Sequence, residues 1–405
     1  MSKLEELIKE LCPNGVEHKI LNTVCSFKNG FSFKSNLFKT TGKPILRITN
    51  IVDGNINNEG LIYFSLDDYT ENLTQYEVKQ GDVVVAMSGA TTGKIGYNNS
   101  ETVYYLNQRV GLFVPNETVL NKRFLYHWLL GQSNNIYRIS SGSGAQPNLS
   151  SVKMMQFLIP IPPIEVQNEI VRILDNFKEL TAELTAELTA RKKQYEYYRD
   201  KYITKTAYNT VKLSEVADIY LGLTYTPTYV ENGVKFISAQ NTSKDYLDLT
   251  NVKYISREEF EKSTSNAKPK RGDVLFTRVG SNLGHPVIVD TDEDLCMFVS
   301  LGYLRVNSDR LLNRYVRHWM NTDLFWSQVR KNVYGAAKVN LNTGWLRDFD
   351  IILPPLNEQE HIADMLDKFE TLCNDITIGL PAEIDARKKQ YEYYRDKLLT
   401  FKEVS

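Results

Sequence analysis

The sequence predicts an α+β protein: two duplicated α+β domains joined by two long antiparallel spacer helices with pseudo-two-fold symmetry. Three observations predict it. The stretch ARKKQYEYYRDK occurs twice, word for word, from Ala190 to Lys201 and from Ala386 to Lys397. Each copy closes a segment whose apolar residues fall three or four apart, the spacing of one helical face. Each such segment follows short β-rich runs broken by Gly, Asn and Ser clusters, without the βαβ rhythm of a nucleotide-binding fold. An internal repeat of this kind decides architecture before any single motif does.

The duplication reaches well beyond the identical block. Pro162-Pro163-Ile164-Glu165-Val166-Gln167 aligns with Pro354-Pro355-Leu356-Asn357-Glu358-Gln359, and Leu174-Asp175, Phe177 and Leu180 align with Leu366-Asp367, Phe369 and Leu372. The preceding parts pair more loosely, among them Gly30 with Gly222, Gly81-Asp82-Val83 with Gly272-Asp273-Val274, His127-Trp128 with His318-Trp319 and Asn148-Leu149 with Asn340-Leu341. The domain limits that follow are 1–158 for the first domain, 159–207 for the first spacer, 208–350 for the second domain and 351–405 for the second spacer.

In chain order, MSKLEELIKELCPNG reads as a charged amphipathic helix stopped by Pro-Asn-Gly, unlike a signal peptide. Pro44–Ile48 and Asp82–Ala86 read as strands, and NKRFLYHWLL, Asn121 to Leu130, as a helix. The first spacer has Ile170, Leu174, Phe177, Leu180, Leu184 and Leu188 on one narrow seam, the mark of a helix covered by another helix. Pro162-Pro163 suits its start. Within it Thr-Ala-Glu-Leu occurs twice, Thr181–Leu184 and Thr185–Leu188. One such unit lengthens a helix by ~6 Å while turning the seam only ~40°. The second module repeats the plan with Lys235-Phe236-Ile237, Asp273–Phe276 and a helix around Asn313 to Met320. Its spacer carries Ile362, Leu366, Phe369, Leu372 and Ile376, then Gly379-Leu380-Pro381, which should end one helix and start another.

Composition excludes more than it assigns. With 405 residues, 42% hydrophobic and 24% charged, the chain is globular, and a net charge of −1 advertises no polyanion partner by itself. Cys12, Cys25, Cys296 and Cys373 are scattered, which fits reduced thiols in the cytoplasm and gives no zinc spacing. No apolar run is long enough for a membrane span. Gly89–Ile95 resembles a phosphate loop but ends without Ser or Thr. Asp67 with Glu77 and Lys79 has nuclease-like spacing, yet the second half keeps Glu258, Lys268 and Lys270 and lacks the central carboxylate. No methyltransferase tetrapeptide or S-adenosylmethionine loop is present. The expectation is no catalytic residue, no metal and no cofactor, with His127-Trp128 and His318-Trp319 serving as core.

What remains are polar and basic residues in glycine-rich loops. Lys94, Asn107, Gln108, Arg109, Gln146 and Asn148 in the first domain, and Arg278, Ser281, Asn282, Lys338 and Asn340 in the second, are the candidate DNA contacts. Arg, Asn and Gln read base edges in pairs of hydrogen bonds, while Lys and Ser hold phosphates. On any one loop such residues are more often simply solvated. The spacer clusters could face DNA, a partner or solvent. A partner surface is favoured for Arg191, Lys192, Tyr195, Tyr197 and Tyr198 and their twins Arg387, Lys388, Tyr391, Tyr393 and Tyr394, because Tyr and Arg interleave there as they do at interfaces.

Two different modules on two nearly identical helices suggest one partner bound twice and two different things recognised. The Pro-Pro/Gln entry to each spacer, the TAEL repeats and both ARKKQYEYYRDK blocks resemble the specificity (S) subunit of type I restriction-modification enzymes, over essentially the whole chain. That resemblance implies two target-recognition domains, each reading half of a split asymmetric site in double-stranded DNA. It also implies two methyltransferase subunits docked on the spacers, restriction subunits outside them, and no chemistry performed by the chain itself. A single-chain DNA modification enzyme and a helical scaffold without DNA are the competing expectations.

Overall fold

The computed structural model describes residues 3–140, 147–205, 207–280, 282–333, 340–375 and 377–404. The main helices are α1 (Lys3–Leu11), α2 (Lys122–Gly131), α3 (Ile164–Ile203), α4 (Asn313–Trp319), α5 (Leu356–Asn374) and α6 (Leu380–Leu398). The chain forms two compact units, one of Met1–Glu183 with Ile384–Ser405 and the other of Leu184–Glu383. The boundary falls within α3, so the two ends of that 40-residue helix belong to different units.

Beside the two-stranded pairing of His18–Ile20 with Leu158–Pro160, the first unit holds two larger sheets. One orders its strands Cys25–Asn29, Val110–Pro115, Val83–Ala86, Ile95–Tyr97, Asn55–Ile56 and Ile51–Val52; the other orders Ile62–Phe64, Lys43–Leu46, Tyr104–Leu106 and Glu77–Val78. Val83–Ala86 is buried on both faces, which is why it reads as an unbroken apolar run. Its side chains alternate, as strand geometry requires. Val83 and Val85 join Phe124, Leu125 and Leu129 of α2, and Val84 and Ala86 join Leu46, Leu106 and Val110.

The second unit repeats this, with two larger sheets beside the pairing of Asn209–Lys212 with Asp350–Leu353. One orders Ala217–Leu221, Leu301–Val306, Val274–Thr277 and Pro286–Ile288; the other orders Tyr229–Val230, Lys253–Ile255, Val234–Ile237 and Leu295–Met297. Val274 and Phe276 pack with Tyr315 and Trp319 of α4, while Leu275 packs with Ile237 and Met297. Both units share a parallel pair, Tyr104–Leu106 with Lys43–Leu46 and Leu295–Met297 with Val234–Ile237, and the first adds Asn55–Ile56 with Ile95–Tyr97. The expected helices at Asn121–Leu130 and from Asn313 are present, and α5 ends before Gly379 while α6 starts at Leu380. Ile376 of the expected seam lies outside the described residues.

The Pro-Pro/Gln entry has a structural cause. Gln167 is fully buried; its carbonyl accepts from the Asn121 amide at 2.9 Å and its amide donates to the Val119 and Pro162 carbonyls, each at 2.8 Å. Gln359 does the same with Leu312, Arg310 and Pro354. A side-chain amide in which every donor is matched pins the start of α2 to α3, and of α4 to α5.

Within the second unit Tyr198 stacks on Phe369, Tyr195 lies beside Glu370, and Arg191 and Lys192 face Cys373. Residue numbers fall along α3 as they rise along α5, so the pair is antiparallel. In the first unit the same stack joins Phe177 of α3 to Tyr394 of α6. Cys12, Cys25, Cys296 and Cys373 are buried free thiols. Among the described residues no helix is long and apolar enough to cross a membrane.

Candidate nucleic-acid interface

In the first domain three loops converge. The Asn107–Arg109 turn joins strands Tyr104–Leu106 and Val110–Pro115, closed by the Val110 amide on the Asn107 carbonyl at 2.8 Å. Gly30 lies against it so closely that any side chain there would come within 2.0 Å of the Asn107 carbonyl oxygen. The Met87 amide donates to Arg109 O and the Leu149 amide to Met87 O, each at 2.8 Å, which adds the 87–94 and 147–149 loops. Met87, Ser88, Gln108, Arg109, Pro147 and Asn148 line one open cavity of about 440 Å³. Gln108, Arg109, Asn148 and the nearby Lys94 are exposed, and Asn107 is half-buried. Gln146 lies outside the described residues.

The Gly89–Lys94 turn spends its own amides. Gly89 N donates to Pro147 O, Thr92 N to Gly89 O, Gly93 N to Ala86 O and Lys94 N to Thr91 O. A phosphate cradle needs such groups free; this is a tight glycine turn.

The second domain reproduces the backbone and changes the side chains. Arg278 N donates to Ser300 O and Leu341 N to Arg278 O, so Arg278 holds the place of Met87 and Ser300 that of Arg109. Gly222 sits 2.3 Å, from its would-be Cβ, to Phe298 O, as Gly30 does to Asn107. One sequence expectation is corrected here. Arg278 is 8% exposed and its guanidinium donates to Leu341 O at 3.1 Å and Val299 O at 2.9 Å, so it ties loops together instead of presenting an edge to DNA. Asn282 and Asn340 are exposed, and the Asn282 amide reaches Ser243 O at 3.4 Å. Ser281 and Lys338 lie outside the described residues. Beside the Phe298–Ser300 turn a concavity of about 470 Å³ is lined by Thr226, Tyr229, Gln240, Asn251, Lys253 and Ser300, among others. Sequence reading passed over these residues, because a loop such as QNTSKD looks like any solvated loop.

The two spacer blocks expose the same stripe. Tyr197 and Tyr393 are 59% and 61% exposed, with Lys201 and Lys397 over their rings. Lys192 and Lys388 are exposed, and Arg191 and Arg387 are half-buried. The remaining tyrosines turn inward: Tyr198 and Tyr394 into the stacks above, Tyr195 and Tyr391 onto buried histidines.

Those histidines organise matching networks. His127, with no exposed surface, bonds Asp175 through Nε2 at 2.9 Å and the Tyr391 hydroxyl through Nδ1 at 2.8 Å, while Arg123 donates to Asp175 at 2.7 Å. His318 bonds Asp367 at 2.7 Å and Tyr195 at 3.1 Å, while Arg314 and Arg317 donate to Asp367. Burial pushes His127 down to about 4, against the pull of Asp175. Burial would raise Asp367, but His318 and the two arginines outweigh it and hold the carboxyl far below its usual range. His318, Asp367 and Glu370 cluster tightly enough for a metal ion, yet Arg314 and Arg317 already occupy the two carboxylates. These networks lock each domain's helix to two spacer segments.

The family described as type I restriction modification DNA specificity domain matches residues 13–191 and 205–386. A putative type I restriction enzyme specificity subunit of Haemophilus influenzae is 32% identical over 386 residues, covering 91% of this chain and 93% of that protein. The EcoR124I/EcoR124II specificity subunit of Escherichia coli is also 32% identical, over 71% of this chain and 72% of its own length. Two solved structures share the fold. One chain of a type I R-M system matches with a TM-score of 0.65 at 17% identity, covering 96% of this chain and 98% of its own. An S subunit from M. genitalium matches at 0.54 and 12%, covering 95% and 96%. The chain belongs to the type I restriction-modification DNA specificity family, whose domain it carries twice.

Proposed function

We propose that this specificity subunit directs a type I complex to a split, asymmetric sequence in double-stranded DNA, acting in the cytoplasm. Each recognition domain reads one half-site, residues 1–158 the first and 208–350 the second. The spacers, 159–207 and 351–405, dock two methyltransferase subunits, and restriction subunits join outside them. The observation that carries this reading is a contrast within one chain. The exposed spacer stripe, Lys192 with Tyr197 and Lys388 with Tyr393, is the same twice, while the exposed loops on a shared backbone framework differ. One surface shown twice suits two copies of one partner; different loops suit different half-sites. A specificity subunit recognises and does not catalyse, so methyl transfer comes from the partner.

The test exchanges residues 1–158 for those of a relative and maps methylation in cells. One half of the motif changes and the other stays; a change in both would refute independent reading. In the same cells, Tyr197→Ala with Tyr393→Ala reduces assembly with the methyltransferase, seen as free subunits on gel filtration. Undiminished assembly would remove these tyrosines from that interface.

A further inference from the structure

We infer that the two domains read DNA with different parts of one framework: the first with Gln108, Arg109 and Asn148, the second with Gln240, Asn251 and Lys253. This rests on the function proposed above and names the residues that set its specificity.

A side chain that reads a base edge needs its hydrogen-bonding groups uncommitted, donor and acceptor for an amide and donors for Arg or Lys. Amides and guanidiniums are common here, and most are already spent. Asn50 accepts from Arg47 N and donates to Asn57 O and Glu59 O. Its counterpart Asn241 accepts from Ser238 N and donates to Asp248 O and Asn251 O. Gln167, Gln359 and Arg278 are consumed as described. Among the described residues, the side chains of Gln108, Arg109, Asn148, Gln240 and Asn251 make no hydrogen bond, and all five are exposed.

The shared framework shows where the readers moved. In the first domain the turn carries Gln108 and Arg109, and Thr49 stands where the second domain has Gln240, next to the matching buried Asn50 and Asn241. In the second domain the turn carries Phe298, Val299 and Ser300, and the Ser300 hydroxyl is taken by the Ala239 amide at 3.1 Å. That turn has no side chain able to bond a base edge in two places. The adjoining segments supply it: Gln240, Asn251 and Lys253, the last opening the strand Lys253–Ile255, edge the concavity of about 470 Å³, with the Lys253 ammonium 4.2 Å from the centre of the Tyr229 ring. Glutamine pairs with adenine and lysine with guanine, so the position read by Gln240 is an A·T pair.

The experiment places Gln240→Ala, Asn251→Ala, Lys253→Ala and Arg109→Ala, one at a time, in cells carrying the chain and its methyltransferase. Methylated motifs are then mapped. Each of the first three relaxes one position of the second half-site and leaves the first half-site and the gap unchanged; Arg109→Ala does the reverse. The untouched half-site certifies folding and assembly in the same readout. A variant that abolishes methylation is measured as purified complex on duplexes with single substitutions in each half-site. Discrimination lowered about tenfold at one second-half position supports the assignment, and discrimination equal to wild type overturns it. An unchanged motif in all three second-domain variants also overturns it. A wild-type chain that directs no split motif would instead refute the underlying function, a separate result.

Discussion

The two buried networks differ chiefly at one pair of positions, and the difference shows what the joint needs. His127, Asp175, Tyr391 and Arg123 in the first unit match His318, Asp367, Tyr195 and Arg314 in the second. Beside them, Tyr126 with Lys178 in the first becomes Arg317 with Glu370 in the second. The first pair is a phenol and an ammonium pushed down to about 8 by burial, with Arg123 and Arg395 adding to it. The second is a buried ion pair. The Asp-His-Tyr chain is fixed because it joins helix, spacer and partner spacer; the neighbouring pair has only to stay complementary.

The largest effect separating the units should come from the aspartates. Asp367→Ala removes three hydrogen bonds at once, from Arg314, Arg317 and His318, although Arg314 keeps Asp364 and Arg317 keeps Glu370, and should cost the second unit about 3–4 kcal/mol. Asp175→Ala strands one arginine and a histidine, and should cost about 2 kcal/mol. Urea unfolding of the two variants gives the order; equal losses would break the comparison.

Acid comes next. In the first unit His127 binds its proton at about 4 when folded, because burial disfavours the charged ring, and at ~6.5 when unfolded. Between those values only the unfolded chain is protonated, so stability falls as the pH drops from about 6.5 to about 4, by up to about 3 kcal/mol. Burial would raise Asp175, but His127 and Arg123 hold it below the usual range. Its contribution is therefore lost only below about pH 4, and the window above belongs to the histidine. In His127→Gln the slope between about pH 7 and about pH 4.5 should flatten; an unaltered slope would assign it elsewhere.

A sharper comparison converts one network into the other. Lys178→Glu alone sets a carboxylate near Asp175, and Tyr126→Arg alone crowds Arg123 and Lys178. Together they rebuild the Arg317–Glu370 arrangement, and about 2 kcal/mol of the summed single losses should return. Strict additivity by denaturant titration would show that the two networks are not interchangeable. The smallest effect is Tyr391→Phe or Tyr195→Phe, each removing one hydrogen bond to a buried histidine at about 1 kcal/mol.

Much of this was legible in the sequence because helices and repeats are written locally. The 3.6-residue seam, the proline entries and the Gly379 break all act within a few residues of themselves, and the duplication aligned His127 with His318 directly. The recognition face was legible only in outline. Arg278 has the side chain of a reader, and only the carbonyls of Val299 and Leu341, brought in by folding, reveal that it is spent. Gln240 is the converse: an ordinary loop residue whose unspent amide means something only once its neighbour Asn241 is seen to be consumed. Tyr195 and Tyr197 stand two residues apart in one block, and only the partner helix distinguishes the inward ring from the outward one.

Both ends of the chain meet in the first unit. The Val16 amide donates to the Lys402 carbonyl at 2.8 Å, Val404 N returns to Val16 O, and Tyr391 reaches His127. The first domain is therefore made before the second and finished after it. At ~5–20 residues per second, it waits roughly 10–40 s while Leu184–Glu383 is made, and through that interval its buried histidine and the seam of α3 lack their cover. The second unit is continuous, Leu184–Glu383, and can close as soon as it emerges. A released chain truncated after Glu383 should show the second unit resistant to protease and the first unit cut.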